Sequence, residues 1–268
     1  VNSGQGLLWW TVAGSLNGYP VLTTIAPSKV TVTFDGNGGI FTDGGSVSNM
    51  NFYADDKYGR DRLDSLSNQL SRTGYRCRGW YTSASEGSCL GPEASAAAGT
   101  LYAQWTPNTY TATFVAAGGT PATTNITQTY DSDTVLPSPA PRRVGYTLAS
   151  WTNGAGQTVT SATKYQVAAD TSLYAKWAAI TYTVVYNGNG AGGSTASSTH
   201  TYDVEKTLTA NGFTKTGYVF SGWTNTIAGN PVYADAAPVL NLAYNPGATI
   251  TLVAVWVAGT SRVTLDPN

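Results

Sequence analysis

"TYTVVYNGNGAGGST", residues 181–195, starts as a run of β-formers and ends in Gly188, Gly190 and Gly193, spaced as G-x-G-x-x-G. Two readings compete. A dinucleotide loop carries that spacing between a strand and a helix, so that backbone N–H groups at the helix start meet a pyrophosphate. A hairpin turn uses glycine for positive φ and needs no helix. Residues 194–209, "STASSTHTYDVEKTLT", are rich in Ser and Thr and show no helical apolar stripe before Tyr202, so the required helix is missing. The glycines read as a turn, and no cofactor is expected.

The same strand and turn occur twice more, as "VTVTFDGNGG" (residues 30–39) and "YTATFVAAGG" (residues 110–119). After each comes a Gly-Tyr segment at a fixed distance from a Trp: "TGYRCRGW" (73–80), "VGYTLASW" (144–151) and "TGYVFSGW" (216–223). Each copy closes with "TLYAQW" (100–105), "SLYAKW" (172–177) or "TLVAVW" (251–256). A repeat of this length is the first thing that decides a fold. The closing segments alternate as strands with one buried face: Leu101, Ala103 and Trp105 point one way, Tyr102 and Gln104 the other. Six of the eight Trp residues occupy matched positions, which core packing explains better than a sugar or cofactor platform.

These motifs resemble the Listeria–Bacteroides repeat, the B-repeat of internalin-type surface proteins, over about residues 30–257. The family pattern is a Y-T-V-T-F strand, a glycine turn, G-Y-x-F-x-G-W and a terminal L-Y-A-x-W. The resemblance implies a β-rich α+β chain of three tandem, small β-grasp-like (ubiquitin-like) modules forming an elongated rod on the outside of a bacterium. The modules would span residues 30–106, 107–178 and 179–258, after an N-terminal β segment or cap (1–29) and before a C-terminal tail (259–268). Within the first segment, "LLWWTVAGSLNGYPVLTTI" (7–25) is similar to the ending of GLUG-type β-helical repeats in large adhesins, an edge strand or cap being the alternative. The linkers "TPNT" (106–109) and "AAI" (178–180) are too short for flexible tethers, so a stiff or mildly bent rod is expected.

The copies differ in the middle. In the first, "YGRDRLDSLSNQL" (58–70) puts Leu63, Leu66 and Leu70 on one helical face. In the second, Pro137, Pro139 and Pro141 forbid a helix, so that crossover should be extended. The third gains "AGNPVYADAAPVLNLAYNPG" (228–247), a long loop of the sort that carries binding residues.

Composition narrows the function. Fourteen basic and fifteen acidic residues leave a formal charge of −1, which gives a nucleic acid or an anionic membrane surface nothing to hold. Charged residues make up 11% of the chain, against roughly 25% in an ordinary soluble domain, a balance that suits exposed β-rich proteins. No apolar stretch approaches the roughly 20 residues of a membrane span. His200 is the single histidine, which excludes multi-His metal sites; it lies in a Ser/Thr-rich stretch and is expected to be exposed. Asp55, Asp56, Asp61 and Asp64 match no EF-hand spacing and alternate with Lys57, Arg60 and Arg62, as on a solvated helix face. No catalytic residue and no metal site are expected.

Cys77 stands where the other copies have Leu148 and Phe220, so it should face the core, with Cys89 in the following loop. In an exported protein a Cys77–Cys89 disulfide is expected, restricting the unfolded chain by about 3 kcal/mol. Arg76 and Arg78 alternate along a strand and should leave the same face. Tyr58, Arg60, Arg62, Arg76, Arg78, Tyr233 and Tyr244 are the candidate ligand contacts, in the enlarged middle of copy one and the long loop of copy three. The function expected is a non-catalytic, extracellular segment of a surface protein or adhesin. It would act as a stalk and as a contact for a cell-surface glycan or protein, with self-association open through edge strands. A pure spacer, or a carbohydrate-binding part of a secreted enzyme, is the alternative.

Overall fold

The computed structural model describes residues 9–16, 19–25, 28–53, 56–225 and 232–260. The tail expected at residues 259–268 lies outside them from residue 261 on. The chain is β-rich, with several sheets and one short helix among the described residues. It forms two compact units: Val1–Tyr110, Thr127–Asp133 and Lys164–Asp170 make the first, and Thr111–Ile126, Thr134–Thr163 and Thr171–Asn268 the second.

The first unit begins with a hairpin in which Trp9–Leu16 pairs antiparallel with Tyr19–Ile25. A four-stranded sheet follows, in the order Val47–Tyr53, Lys29–Asp35, Gly99–Pro107, Tyr75–Tyr81. Its central pair, Lys29–Asp35 and Gly99–Pro107, is parallel, while both outer strands are antiparallel to their neighbours. A parallel pair needs a long crossover, and here the crossover holds the helix Arg60–Asn68. Leu63 and Leu66 are its buried side chains, as the stripe predicts. The helix stops two residues early, because Leu70 pairs with Phe41 in a short ladder while still packing on the core. Val32, Phe34, Phe52 and Trp80 fill that core, with the Phe34 ring edge-on to Trp80 at 4.9 Å.

The second unit holds most of a five-stranded sheet, ordered Thr123–Thr129, Thr109–Val115, Thr171–Ala179, Tyr146–Thr152, Thr158–Val159. Residues 134–144 cross over without a helix, as their prolines dictate. A further sheet runs Ser198–Thr201, Thr181–Asn187, Thr249–Ala258, Tyr218–Thr224. In both sheets the first and last strands of the copy again lie parallel at the centre.

One irregularity recurs in all three copies. The register slips between Cys77 and Gly79, between Leu148 and Ser150, and between Phe220 and Gly222. A strand with period two would put a Trp three residues after Cys77 on the opposite face, and the bulge restores it to the inner one. Trp80, Trp151 and Trp223 are buried as a result.

Three expectations need correction. Cys77 does pack against the core, but both cysteines are free thiols and no disulfide joins them. Cys89 lies opposite Tyr81, four positions along the strand from Cys77, and at about 3.3 Å per residue that exceeds the roughly 7 Å Cα separation a disulfide tolerates. Residues 228–231 of the long stretch in the third copy lie outside the described residues, and the described remainder, 232–247, is not a free loop. Pro238–Val239 pairs with Lys206–Thr207, and Val239 and Ala243 are buried in the core.

His200, expected outside, is 1% exposed. It occupies the inward position held by Phe52 and Gln128 in the other copies. Its ring stacks on Tyr182 at 5.5 Å and its Nε2 lies 2.9 Å from Ser198 Oγ, while Nδ1 has no partner. Burial, and then the charge of Lys206, lowers its pKa below the ordinary histidine value. The unfolded chain therefore binds the proton more readily, and this copy loses stability as pH falls below about 6.5 toward the folded-state pKa. His200→Gln, copying Gln128, should flatten that slope. The check is amide exchange of residues 181–224 at pH 7.5 and 5.5; equal protection of the natural chain at both would refute it.

Candidate functional site

Each copy's glycine turn anchors the residues around it. Asn37 and Gly38, Ala117 and Gly118, and Asn189 and Gly190 all have positive φ, the signature of a two-residue hairpin turn. The closing Trp of each copy, half-buried, donates its indole N–H to the carbonyl that starts the turn: Trp105 to Gly36 at 3.0 Å, Trp177 to Ala116 at 2.7 Å and Trp256 to Gly188 at 2.9 Å. The polar edge of the indole thus fixes the turn while its body covers the core. Gly192–Gly193 goes on into a short strand against Phe213–Thr214, so no helix start faces these glycines.

Beside each turn stands a basic residue three positions before a Tyr. The Arg72 guanidinium lies 4.1 Å over the Tyr75 ring, Arg143 lies 3.8 Å over Tyr146, and the Lys215 ammonium lies 4.9 Å over Tyr218. Arg72 and Lys215 also donate to the turn carbonyls of Asn37 and Asn189, at 3.5 and 3.3 Å.

At Tyr75 and Tyr146 this cluster meets a Tyr-Asp pair of the following copy. Tyr75 donates its hydroxyl to Asp131 at 3.0 Å, and its ring is edge-on to Tyr130 at 5.4 Å. Tyr146 donates to Asp203 at 2.7 Å and stands edge-on to Tyr202 at 5.7 Å. Backbone bonds complete each clasp: Asn108 N–H to Gly74 and Tyr130 N–H to Asn108 in one, Ile180 N–H to Gly145 and Tyr202 N–H to Ile180 in the other. Gly74 and Gly145 have φ of +77° and +75°, and a Cβ on either would enter the ring of Tyr130 or Tyr202. Glycine here answers both to the backbone and to a ring lying on it.

The ionisable groups respond accordingly. Burial, then the bond to Asp131, raises the Tyr75 pKa; the bond to Asp203, then burial, raises that of Tyr146. Asp131 is lowered by its hydrogen bonds from Gln166 and Tyr75, and Asp203 by those from Tyr146 and Asn241. The clasps are therefore intact between the two titrations, losing support below about pH 4 as the carboxylates protonate and above about pH 10 as the phenols ionise.

A groove of about 770 Å³ lies at the first clasp, lined by Leu70, Arg72, Tyr75, Tyr130, Asp131 and Gln166. The residues singled out from the sequence fall elsewhere and are not gathered together. Tyr58, proposed as a contact, is 3% exposed and packs on Phe34 and Phe52, which is a correction. Arg60 and Arg78 share the wall of a smaller cavity of about 230 Å³. Arg62 lies over Phe52, and Arg76 and Arg78 are both exposed, Arg78 standing at the bulge between Cys77 and Gly79. Tyr233 packs on the core beside Trp223, whereas Tyr244 is 67% exposed and lines another cavity with Arg143 and Tyr146. The clasp residues are legible as K/R-x-G-Y, in Arg72–Tyr75, Arg143–Tyr146 and Lys215–Tyr218, and as the recurring Tyr130-Asp131 and Tyr202-Asp203. Only the Gly-Tyr part of that signal stands out beside the tryptophans.

The Listeria-Bacteroides repeat domain matches residues 31–104, 110–176 and 182–255, most of the chain and in tandem. The chain belongs to the Listeria-Bacteroides repeat family. Each match of the repeat runs from the first strand to the closing Trp segment, so both clasps join one repeat to the next. A protein of Evansella cellulosilytica named as a membrane protein is similar to this chain, with 25% identity over 169 residues, 61% of this chain and 24% of the relative. The chain thus spans about a quarter of that relative's length. Among the described residues, no helix is long and apolar enough to cross a membrane.

Proposed function

We propose that the chain is a non-catalytic, extracellular segment of a bacterial surface protein, in which β-grasp-like repeats are held in fixed orientation as a stiff stalk. One observation carries this reading: the same clasp, built from the same residue types at the same spacing, occurs at both repeat boundaries. A chain that needed freely turning modules would have no use for it. The strand order with a parallel central pair supports the β-grasp assignment, and the name of the Evansella relative supports an envelope setting. Solution scattering tests the stalk. The natural chain should fit a narrow set of orientations, and Tyr75→Ala with Tyr146→Ala should broaden it; a natural chain that scatters as freely jointed modules would end this reading.

The groove at the first clasp favours a second reading, contact with a cell-surface glycan or protein. It combines two tyrosine rings with a guanidinium, a carboxylate and an amide, a mixture able to stack on a sugar face and hydrogen-bond its hydroxyls. Binding of the folded chain to a glycan panel, lost on Gln166→Ala, would establish it. A folded chain silent on the panel would leave the stalk alone.

A further inference from the structure

The second unit holds a cavity of about 320 Å³ whose lining the clasp alone does not explain. Arg142, Arg143, Tyr146, Tyr244 and Asn245 line it, and no carboxylate does. At the first clasp Asp131 stands in the groove beside Arg72, whereas the matching Asp203 lies outside this lining, bonded by Tyr146 and Asn241. Two guanidinium groups thus share a hollow with no acid in its walls. Among the described residues the ion pair is Lys164 with Asp133, so Asp203 feels Arg143 only from beyond ion-pair reach.

Comparison of the repeats shows which of these side chains the clasp requires. Arg143 is the counterpart of Arg72 and Lys215, and its place over Tyr146 is the recurring one. Arg72 and Lys215 commit a donor to a turn carbonyl, and no such bond occupies Arg143 among the described residues. Its guanidinium is held between the Tyr146 ring and Gly118, whose Cβ would stand 3.6 Å from Nε, so the fork is positioned before any ligand arrives. Arg142 is not a clasp residue, since Ser71 and Thr214 stand there in the other repeats. Its backbone is bonded to Thr120 in both directions, at 2.8 and 3.0 Å, while its side chain is exposed. Tyr244 stands as far before Trp256 as Tyr165 does before Trp177, yet Tyr165 is 4% exposed and Tyr244 is 67% exposed. The third repeat keeps an aromatic ring at this place and turns it out of the core.

We propose that this cavity binds an acidic sugar, a saccharide unit carrying a carboxylate or a sulfate. An arginine fork matches the paired oxygens of either anion. Tyr244 offers a ring face for the apolar side of the sugar, and Asn245 an amide for its hydroxyls. The volume is at the low end for a ligand site and suits one sugar unit, with the rest of a glycan in solvent. A peptide carboxylate would engage the arginines and leave the Tyr244 ring idle, which favours the sugar. The formal charge of −1 gives the chain no general attraction for polyanions, so binding rests on the two arginines. The cavity is separate from the groove at Gln166, and its chemistry is the same whether or not the chain serves as a stalk.

Titrating the folded chain with glucuronic acid, glucose 6-sulfate and glucose, followed through amide resonances, tests it. At least one acidic sugar should shift Arg142, Val144 and Asn245 at concentrations where glucose does not, and the one that does so names the anion. Arg142→Gln and Tyr244→Ala should each weaken that binding on the order of tenfold, the scale of one charge-assisted bond or ring contact. Both replace exposed side chains, and amide exchange like that of the natural chain shows each variant folded. Gln166→Ala, in the other groove, should change nothing. Glucose bound as well as the acids, no acidic sugar bound by the folded chain, or binding indifferent to Arg142→Gln would overturn the proposal. So would tetraglutamate bound more tightly than the sugars and unaffected by Tyr244→Ala, which would assign the cavity to an acidic peptide. Sugar binding lost with Gln166→Ala and kept in Arg142→Gln would place the contact at the first clasp and end this proposal alone.

Discussion

Trp223→Ala is expected to remove about 3–5 kcal/mol from the third repeat, the scale of a large aromatic deleted from a closed core. Trp223 is fully buried, with the rings of Tyr186 and Phe220 each 4.8 Å away and that of Phe213 at 6.3 Å. Its indole N–H has no partner, so the whole loss is packing and cavity, with no hydrogen bond to complicate it. Trp80, its counterpart, sets its N–H 3.4 Å from the Leu63 carbonyl on the helix, so Trp80→Ala removes a contact of another kind as well. Amide exchange resolved by repeat is the readout, because repeats open separately and a single midpoint would blur them. Protection of the third repeat should fall by roughly a hundredfold to a few thousandfold, one factor of ten for each 1.4 kcal/mol. Tyr244→Ala, at an exposed ring, should leave it unchanged. Equal protection in Trp223→Ala and Tyr244→Ala would refute the core assignment.

That core is legible in the sequence, because burial writes itself there as period and recurrence. Leu101 with Ala103, and Leu252 with Ala254, are buried as their alternation requires. The prolines at 137, 139 and 141 exclude a helix by removing donors, which is a local effect. What the sequence conceals depends on partners far along the chain. The inward turn of Trp80 needs a bulge, and the run "RCRGW" alternates as though there were none. His200 reads as polar and exposed in its own neighbourhood, yet strand pairing with Tyr182 carries it inside. The free state of Cys77 and Cys89 follows from a register in which Cys89 faces Tyr81, and spacing alone is silent on register. Unusual segments stand out as binding candidates, whereas the clasps lie in residues that recur. Recurrence in Arg72, Arg143 and Lys215 marks a contact made once per repeat.

Gly145→Ala should prove the costliest small change, and its comparison with Gly217→Ala measures what the clasp adds. Both glycines hold nearly the same backbone, with φ of +75° and +78°, so an alanine at either carries the same left-handed strain, about 1–2 kcal/mol. Only at 145 does the new methyl also run into a neighbour, since the Tyr202 ring already lies where the Cβ must go. Either Tyr202 moves and loses its edge-on contact with Tyr146, or the strand shifts, a further cost of about 1–3 kcal/mol. Gly145→Ala should therefore loosen the boundary between the second and third repeats by about 2–5 kcal/mol in all, seen as faster exchange at Ile180 and Tyr202, whose N–H groups close the clasp. Gly217→Ala should stop at the strain alone and leave that boundary untouched. Equal losses at both sites would mean that the glycines serve only the turn of the backbone, and that the rings resting on them hold nothing together.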